Sequence, residues 1–149
     1  MTSRRFSPVL SSFVLLGSLF AVARPAAAKE EVKGAAILEH ACGKTAVKHM
    51  GLVHAGKMEE AVKLGTQEMQ DQWKAMPAED RKMMSGMMKE MSKSEADFAA
   101  EIKAGGALVV DGKAATLTVT KKIESNSGGG TETMTQGYVI DAKGCWISH

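Results

Sequence analysis

Residues 105–124 read GGALVVDGKAATLTVTKKIE, and this stretch decides the fold class. Apolar and polar side chains alternate along most of it, which is the period of a β-strand with one buried face. We therefore predict strands over Ala107–Val110 and Lys113–Glu124, joined by a hairpin turn at Asp111-Gly112. Leu117 belongs to the apolar face of the second strand, and the threonines beside it belong to the opposite face.

The sequence after this hairpin predicts two more strands. Ser125–Gly130 reads SNSGGG, which is typical of a flexible loop. Thr131–Asp141 then returns as a strand with Met134 and Tyr138 on one face, and Cys145–His149 forms a last strand after a further turn. Consecutive strands with short connections predict an antiparallel meander of about four strands.

The residues ahead of Gly105 carry helical periodicity instead. The first helix is predicted over Val32–Ala55, with Cys42 and His49 on its apolar stripe. Further helices are predicted over 57–64, 66–73, 77–91 and 94–103. Helices at about 32–103 followed by strands at about 105–149 predict an α+β domain whose helices cover one face of the sheet.

The N-terminus has the features of a cleavable secretory signal. Arg4 and Arg5 precede an apolar run at Val9–Ala23, and small residues lead up to Ala28 before the charged Lys29. We predict cleavage between Ala28 and Lys29, which makes residues 1–28 a signal peptide. An uncleaved membrane anchor is the alternative, but the run has only about 15 residues, against about 20 needed to span a bilayer.

Export has consequences for location and charge. The domain at 29–149 is expected in the periplasm or outside the cell, without a stable membrane anchor after cleavage. Removal of Arg4, Arg5 and Arg24 changes the formal net charge from +2 to −1. A near-neutral domain has no electrostatic reason to bind nucleic acid. The expected partner is a small apolar ligand or another protein, with homodimerisation left open.

Cys42 and Cys145 are the only cysteines. In an oxidising compartment two cysteines pair by default. One is on the apolar stripe of the first helix and the other on the last strand, which is compatible with a helix packed on a sheet. We predict a disulfide, and the alternatives are two separate buried thiols or a metal-binding pair.

Methionines are concentrated in one predicted helical stretch. At about 100° per residue they fall within an arc of about 140°; they are Met76, Met83, Met84, Met87, Met88 and Met91. We interpret them as the buried face of an amphipathic helix, because methionine fills irregular gaps in cores. A Cu(I) site at Met83, Met87 and Met91 is an alternative, since soft thioethers select Cu(I). A third interpretation is an adaptable wall of a cavity.

Two segments resemble nuclear-transport-factor-two-like domains. Residues 54–61 read HAGKMEEA, similar to the junction of the first two helices in that superfamily. The ending is similar too, with two long strands leading to DAKGCWI at 141–147, as in small exported bacterial members. The resemblance implies a cone-shaped α+β fold, with the helices packed into a strongly curved antiparallel sheet around an apolar cavity. It implies no particular activity, because the superfamily includes enzymes and binding modules.

A candidate cavity follows from this resemblance and from the predicted faces. Its expected lining residues are His49, Met84, Met87, Leu117, Met134 and Tyr138. We expect a non-catalytic exported binding or interaction domain without a cofactor. One alternative is a periplasmic copper-binding protein. Another is a small cavity enzyme of the isomerase or hydrolase type, which requires a carboxylate such as Asp141 or Glu132 inside the cavity. The alternative for His49 is a purely structural role in the core.

Overall fold

The computed structural model describes residues 28–124 and 129–148. Its elements in chain order are β1 (Glu30–Lys33), a 3-10 helix (Gly34–Leu38), α1 (Ala41–His54), α2 (Met58–Val62), α3 (Gln67–Ala75), α4 (Ala78–Met91), α5 (Glu95–Gly105), β2 (Gly106–Asp111), β3 (Ala114–Ile123), β4 (Gly130–Asp141) and β5 (Gly144–Ser148). Most of the predicted signal peptide, the first four residues of the predicted loop (125–128), and His149 lie outside the described residues.

The α+β fold class is confirmed. Five antiparallel strands form one sheet in the order β1-β2-β3-β4-β5, with the helices between β1 and β2 in the chain. The predicted hairpin turn is present at Gly112, whose φ of 60° favours glycine because that residue has no Cβ. The long strands β3 and β4 pair with Thr118 opposite Thr135.

The start of the first helix was predicted wrongly. Val32 lies in β1, opposite Leu108 of β2, and α1 begins only at Ala41. Gly34 has a φ of 59° that interrupts helical geometry, and the His40 ring caps α1 by accepting a hydrogen bond from the Cys42 amide at 3.1 Å. β1 forms because it hydrogen-bonds to one edge of β2, a long-range partner that the local pattern does not reveal.

The opposite edge of the sheet is partly covered by the segment between α2 and α3. The Thr66 amide donates to the Ile147 carbonyl at 2.9 Å, and the Ile147 amide donates to the Leu64 carbonyl at 2.9 Å. These bonds satisfy backbone groups of β5 that an uncovered edge leaves open. They also hold α2 and α3 beside the last strand.

The main core lies between α1, α5 and one face of the sheet. Leu117 of β3 and Ile102 of α5 are completely buried there, together with Phe98 and Tyr138. This burial confirms the predicted inward faces of β3 and β4. A second, smaller cluster surrounds Trp73 where α1, α2 and α3 meet.

The predicted disulfide between Cys42 and Cys145 is present. It joins α1 to β5 across 103 positions of sequence, with the two Cα atoms 5.0 Å apart. The Thr45 hydroxyl also donates to the Cys145 carbonyl at 3.0 Å. A disulfide fits an oxidising environment. Within the described ranges, no helix combines the length and the apolar character needed to cross a membrane.

The interpretation of the α4 methionines as the buried face of an amphipathic helix was wrong for three of them. None of its residues is buried, and Met83, Met87 and Met91 are 70%, 55% and 77% exposed. Met84 and Met88 pack partly against the Trp73 cluster. α4 contains two methionine doublets, Met83-Met84 and Met87-Met88. In each doublet the first residue faces solvent and the second faces inward. The methionines that contact the rest of the domain cover a narrower arc of the helix than all its methionines together, because α4 lies on the surface of the domain.

Candidate functional site

A cavity of about 230 Å³ lies between α1, the C-terminal end of α4, and the inner face of the sheet. Its walls include His49, Met50, Met88, Met91, Met134 and Tyr138. α1 supplies four lining residues, Ala46, His49, Met50 and Val53. β4 supplies Met134, Gln136 and Tyr138 at alternate positions of its inward face, as the period of a strand requires.

A second cavity, of about 310 Å³, lies on the helical side of the first. Five methionines and a tryptophan contribute to its wall: Met58, Met69, Trp73, Met76, Met84 and Met88. The two cavities share His49, Met88, Gln136 and Ile147 as lining residues. The two cavities therefore adjoin, and Met88 of α4 borders both of them.

A third cavity, of about 220 Å³, adjoins the first on the side of the β3–β4 strands. Its rim is polar and centres on Glu101, which contacts the Lys93 ammonium at 2.7 Å and the Lys121 ammonium at 3.2 Å. Burial raises the pKa of the Glu101 carboxyl, but the hydrogen bonds and charges of the two lysines outweigh burial and lower the pKa overall. Glu132 is the fourth charged residue of this rim.

The polar groups inside the first two cavities are electrically neutral. Burial lowers the pKa of His49, which favours the uncharged imidazole near pH 7. Burial also raises the pKa of Tyr138, so its phenol stays protonated. The Gln136 amide donates to the Ser148 carbonyl at 2.7 Å. Neither cavity has a carboxylate, lysine or arginine among its lining residues. The site therefore has no charge with which to attract an ionic ligand.

One polar group of the second cavity lacks a partner. Trp73 is 6% exposed, and its indole Nε1 is buried without a hydrogen-bond partner among the described residues. Leaving a buried donor unsatisfied costs about 1 to 3 kcal/mol. This nitrogen has almost no accessible surface, so a molecule in the cavity contacts the ring and not the N–H.

Four of the six predicted cavity residues line a cavity. His49, Met134 and Tyr138 line the first, and Met84 lines the second. The other two predictions are corrected. Met87 is 55% exposed and faces solvent, because the packing of α4 turns the first methionine of each doublet outward.

Leu117 is the second correction. It is fully buried beneath α5 in the main core and lines none of the three cavities. Sequence reasoning also missed Met50 and Met88. The spacing of Met84 and Met88, four residues apart, places them on one helical face. It does not say whether that face or the adjacent one packs inward.

The methionines suggested for Cu(I) do not share one cavity. Met83, Met87 and Met91 follow one line along α4, so their backbones span about 12 Å at about 1.5 Å per residue. Met91 lines the first and third cavities, whereas Met83 and Met87 line neither. The described ranges contain no group of three His, Cys, Asp or Glu side chains that could hold a metal ion.

The two suggested acids lie away from Tyr138. Asp141 Oδ1 accepts hydrogen bonds from the backbone amides of Lys143 and Gly144 at 2.8 and 3.0 Å, and so closes the turn between β4 and β5. Glu132 borders the third cavity, whereas Tyr138 lines the first. Comparison with protein-family models, curated proteins and solved structures finds no match to this chain.

Proposed function

We propose that this chain is an exported binding domain that holds an apolar small molecule without catalysing a reaction. The observation that carries the proposal is the pair of adjoining, uncharged cavities of about 230 and 310 Å³. Ligand pockets commonly occupy about 300 to 1,000 Å³ and are lined mainly by apolar side chains with a few polar groups. The paired cavities match that description in size and in lining.

The chemistry of the walls supports an apolar ligand of variable shape. Methionine has a flexible, polarisable side chain that adapts to irregular surfaces. The Met88 side chain stands at the junction of the two cavities and is half-buried. Rotation of this side chain would widen or narrow the junction without disturbing the main core. A long ligand could then occupy both cavities.

Trp73 adds an aromatic surface to the wall of the larger cavity. Its indole N–H is buried without a partner among the described residues and has almost no accessible surface, so a ligand contacts the ring rather than this N–H. The ligand class that fits best is therefore an uncharged apolar molecule.

The absence of a carboxylate from the walls favours binding over catalysis. A general base must reach the proton that it removes, either directly or through one water molecule. His49 and Tyr138 are the titratable side chains of the first two cavities. Both are held neutral by burial, without a carboxylate in these walls to orient or activate them.

Export to the periplasm or the outside of the cell is part of the proposal. The apolar run before Ala28, the small residues at the predicted cleavage site and the disulfide all support it. The resemblance to nuclear-transport-factor-two-like domains supports an apolar cavity as well. The intact mass of protein recovered from exporting cells is expected to match a chain that begins at Lys29.

Fluorescence titration with N-phenyl-1-naphthylamine tests the binding site. This neutral apolar probe gains emission when it leaves water, and Trp73 lies in the wall as an energy donor. The Met88→Glu variant places a carboxylate at the junction of the cavities and is expected to weaken binding by at least about tenfold. Met83→Glu is the matched control, because Met83 is 70% exposed on the same helix and lines neither cavity. Equal loss in both variants, or no binding by the unmodified chain, would contradict the proposal.

A further inference from the structure

Three methionines from three different elements meet at the boundary between the first and third cavities. Met50 belongs to α1, Met91 is the last residue of α4, and Met134 belongs to β4. All three line both cavities. They form a wall of thioethers near the surface, assembled from positions far apart in the sequence.

We propose that Met50, Met91 and Met134 form a binding site for Cu(I). Thioether sulfur is a soft ligand, and soft ligands select Cu(I) over the divalent cations of the first transition series. His49, the neighbour of Met50 on α1, lines the first cavity but not the third, so the three thioethers alone define the site. They form a ligand set without a carboxylate.

The surroundings disfavour a hard or divalent ion at this place. Within the described ranges no three His, Cys, Asp or Glu side chains are grouped closely enough to hold a metal. The rim of the third cavity balances Lys93 and Lys121 against Glu101 and Glu132, so its formal charges cancel. Mg²⁺ and Ca²⁺ require several oxygen ligands, and the carboxylate of Glu101 is already engaged by two ammonium groups. Binding at this site must therefore come from the sulfurs.

The site is accessible from solvent. Met91 is 77% exposed, and Met50 and Met134 in the same wall are half-buried. An ion can contact the outer sulfur first and then reach the inner two without opening the main core. Met83 gives a matched comparison on the same helix, because it is 70% exposed and lines neither the first nor the third cavity.

The metal site shares the wall of the first cavity with the apolar site, but not the wall of the second. The second cavity, with Trp73 in its wall, includes none of the three proposed sulfur ligands. Met76→Glu, in the wall of the second cavity alone, should therefore weaken binding of N-phenyl-1-naphthylamine and leave Cu(I) binding unchanged. Failure of the apolar site and failure of the metal site are thus distinguishable.

Competition with the chromophoric chelator bicinchoninate under anaerobic conditions tests the proposal on the exported, disulfide-bonded protein. Ascorbate serves as the reductant, because a thiol reductant would open the Cys42–Cys145 bridge and create thiolate ligands. We expect about one Cu(I) per chain with a dissociation constant below about 1 μM. Met91→Leu should weaken binding by at least about tenfold, and Met83→Leu should leave it unchanged.

Two outcomes overturn the proposal: no binding tighter than about 1 μM, or equal weakening by Met83→Leu and Met91→Leu. Ag(I), a redox-inert substitute for Cu(I), gives a second test that needs no variant. In protein labelled with ¹³C at the methionine methyl groups, Ag(I) should shift the signals of Met50, Met91 and Met134. Shifts confined to Met83 and Met87 would place any binding on the outer surface of α4 instead.

Discussion

α4 and α5 are consecutive amphipathic helices, yet they are buried to very different extents. α5 (Glu95–Gly105) buries Phe98 and Ile102 almost completely, whereas α4 (Ala78–Met91) buries none of its residues. α5 packs against the 3-10 helix, α1, β2 and β3, while α1 is the main neighbour of α4 among the described elements. The number of neighbouring elements, rather than the apolar content of a helix, decides how much of it is buried.

This difference also locates the candidate site. The two uncharged cavities lie beneath α4 and α3, where packing is loose, and α5 contributes only Phe98 to their walls. Regions with few buried contacts open at lower free energy than the core. A helix held mainly by half-buried methionines is therefore expected to open at a lower free energy than α5.

The largest effect is expected from opening the disulfide, which belongs to the same core as α5. A closed loop of about 100 residues is worth about 4 to 5 kcal/mol in the chain-entropy account, a large part of the about 5 to 15 kcal/mol that stabilises a domain. Cys42→Ser, Cys145→Ser and the double variant should lower the melting temperature by similar amounts. Titration of unfolded, unreduced protein that finds both thiols free would contradict this prediction.

Truncation of Phe98 should produce the next largest effect and tests the comparison directly. Phe98→Ala on α5 should lower the free energy of unfolding by about 3 to 5 kcal/mol, because it leaves a cavity in a packed core. Met87→Ala on α4 should change it by less than about 0.5 kcal/mol, because that side chain already faces solvent. Chemical denaturation of both variants measures the two values. Equal losses would show that α4 and α5 are packed equally well.

The smallest of these predicted effects is a gain in stability rather than a loss. An added Cβ at Gly86, in the middle of α4, meets no heavy atom within 4 Å, so Gly86→Ala should stabilise the protein by about 0.5 to 1 kcal/mol. The control is Gly43 in α1, where an added Cβ would overlap the backbone carbonyl of Ile37. Gly43→Ala should lower the melting temperature that Gly86→Ala raises. A decrease in both variants would mean that α4 is more closely packed than described.

Much of the sheet could be predicted because its signal is local. The alternation around Leu117 sets the period of β3, and the Asp111-Gly112 pair marks its turn. The faces of β4 followed from the same rule, so Tyr138 was correctly expected to face inward. β1 was not predicted because Val32 precedes helix-like sequence and fits the start of a helix equally well. Only its pairing with Leu108 shows that it belongs to a strand.

The candidate site could be predicted only in part, for a different reason. The methionine doublets of α4 show that one side of the helix is apolar, but either member of a doublet can face inward. Contacts with α1 and the Trp73 cluster set the rotation of α4 about its axis. They turn Met84 and Met88 inward and leave Met83 and Met87 facing solvent.

By itself the sequence determined the α+β class, the inward faces of β3 and β4, and the two cysteines available for one bridge. These properties depend on period and composition, which a short segment carries alone. Tertiary structure decided the fifth strand, the orientation of α4, and the meeting of Met50, Met91 and Met134 at one wall. Those features join residues that are distant in sequence, so they exist only once α1, α4 and β4 have packed together.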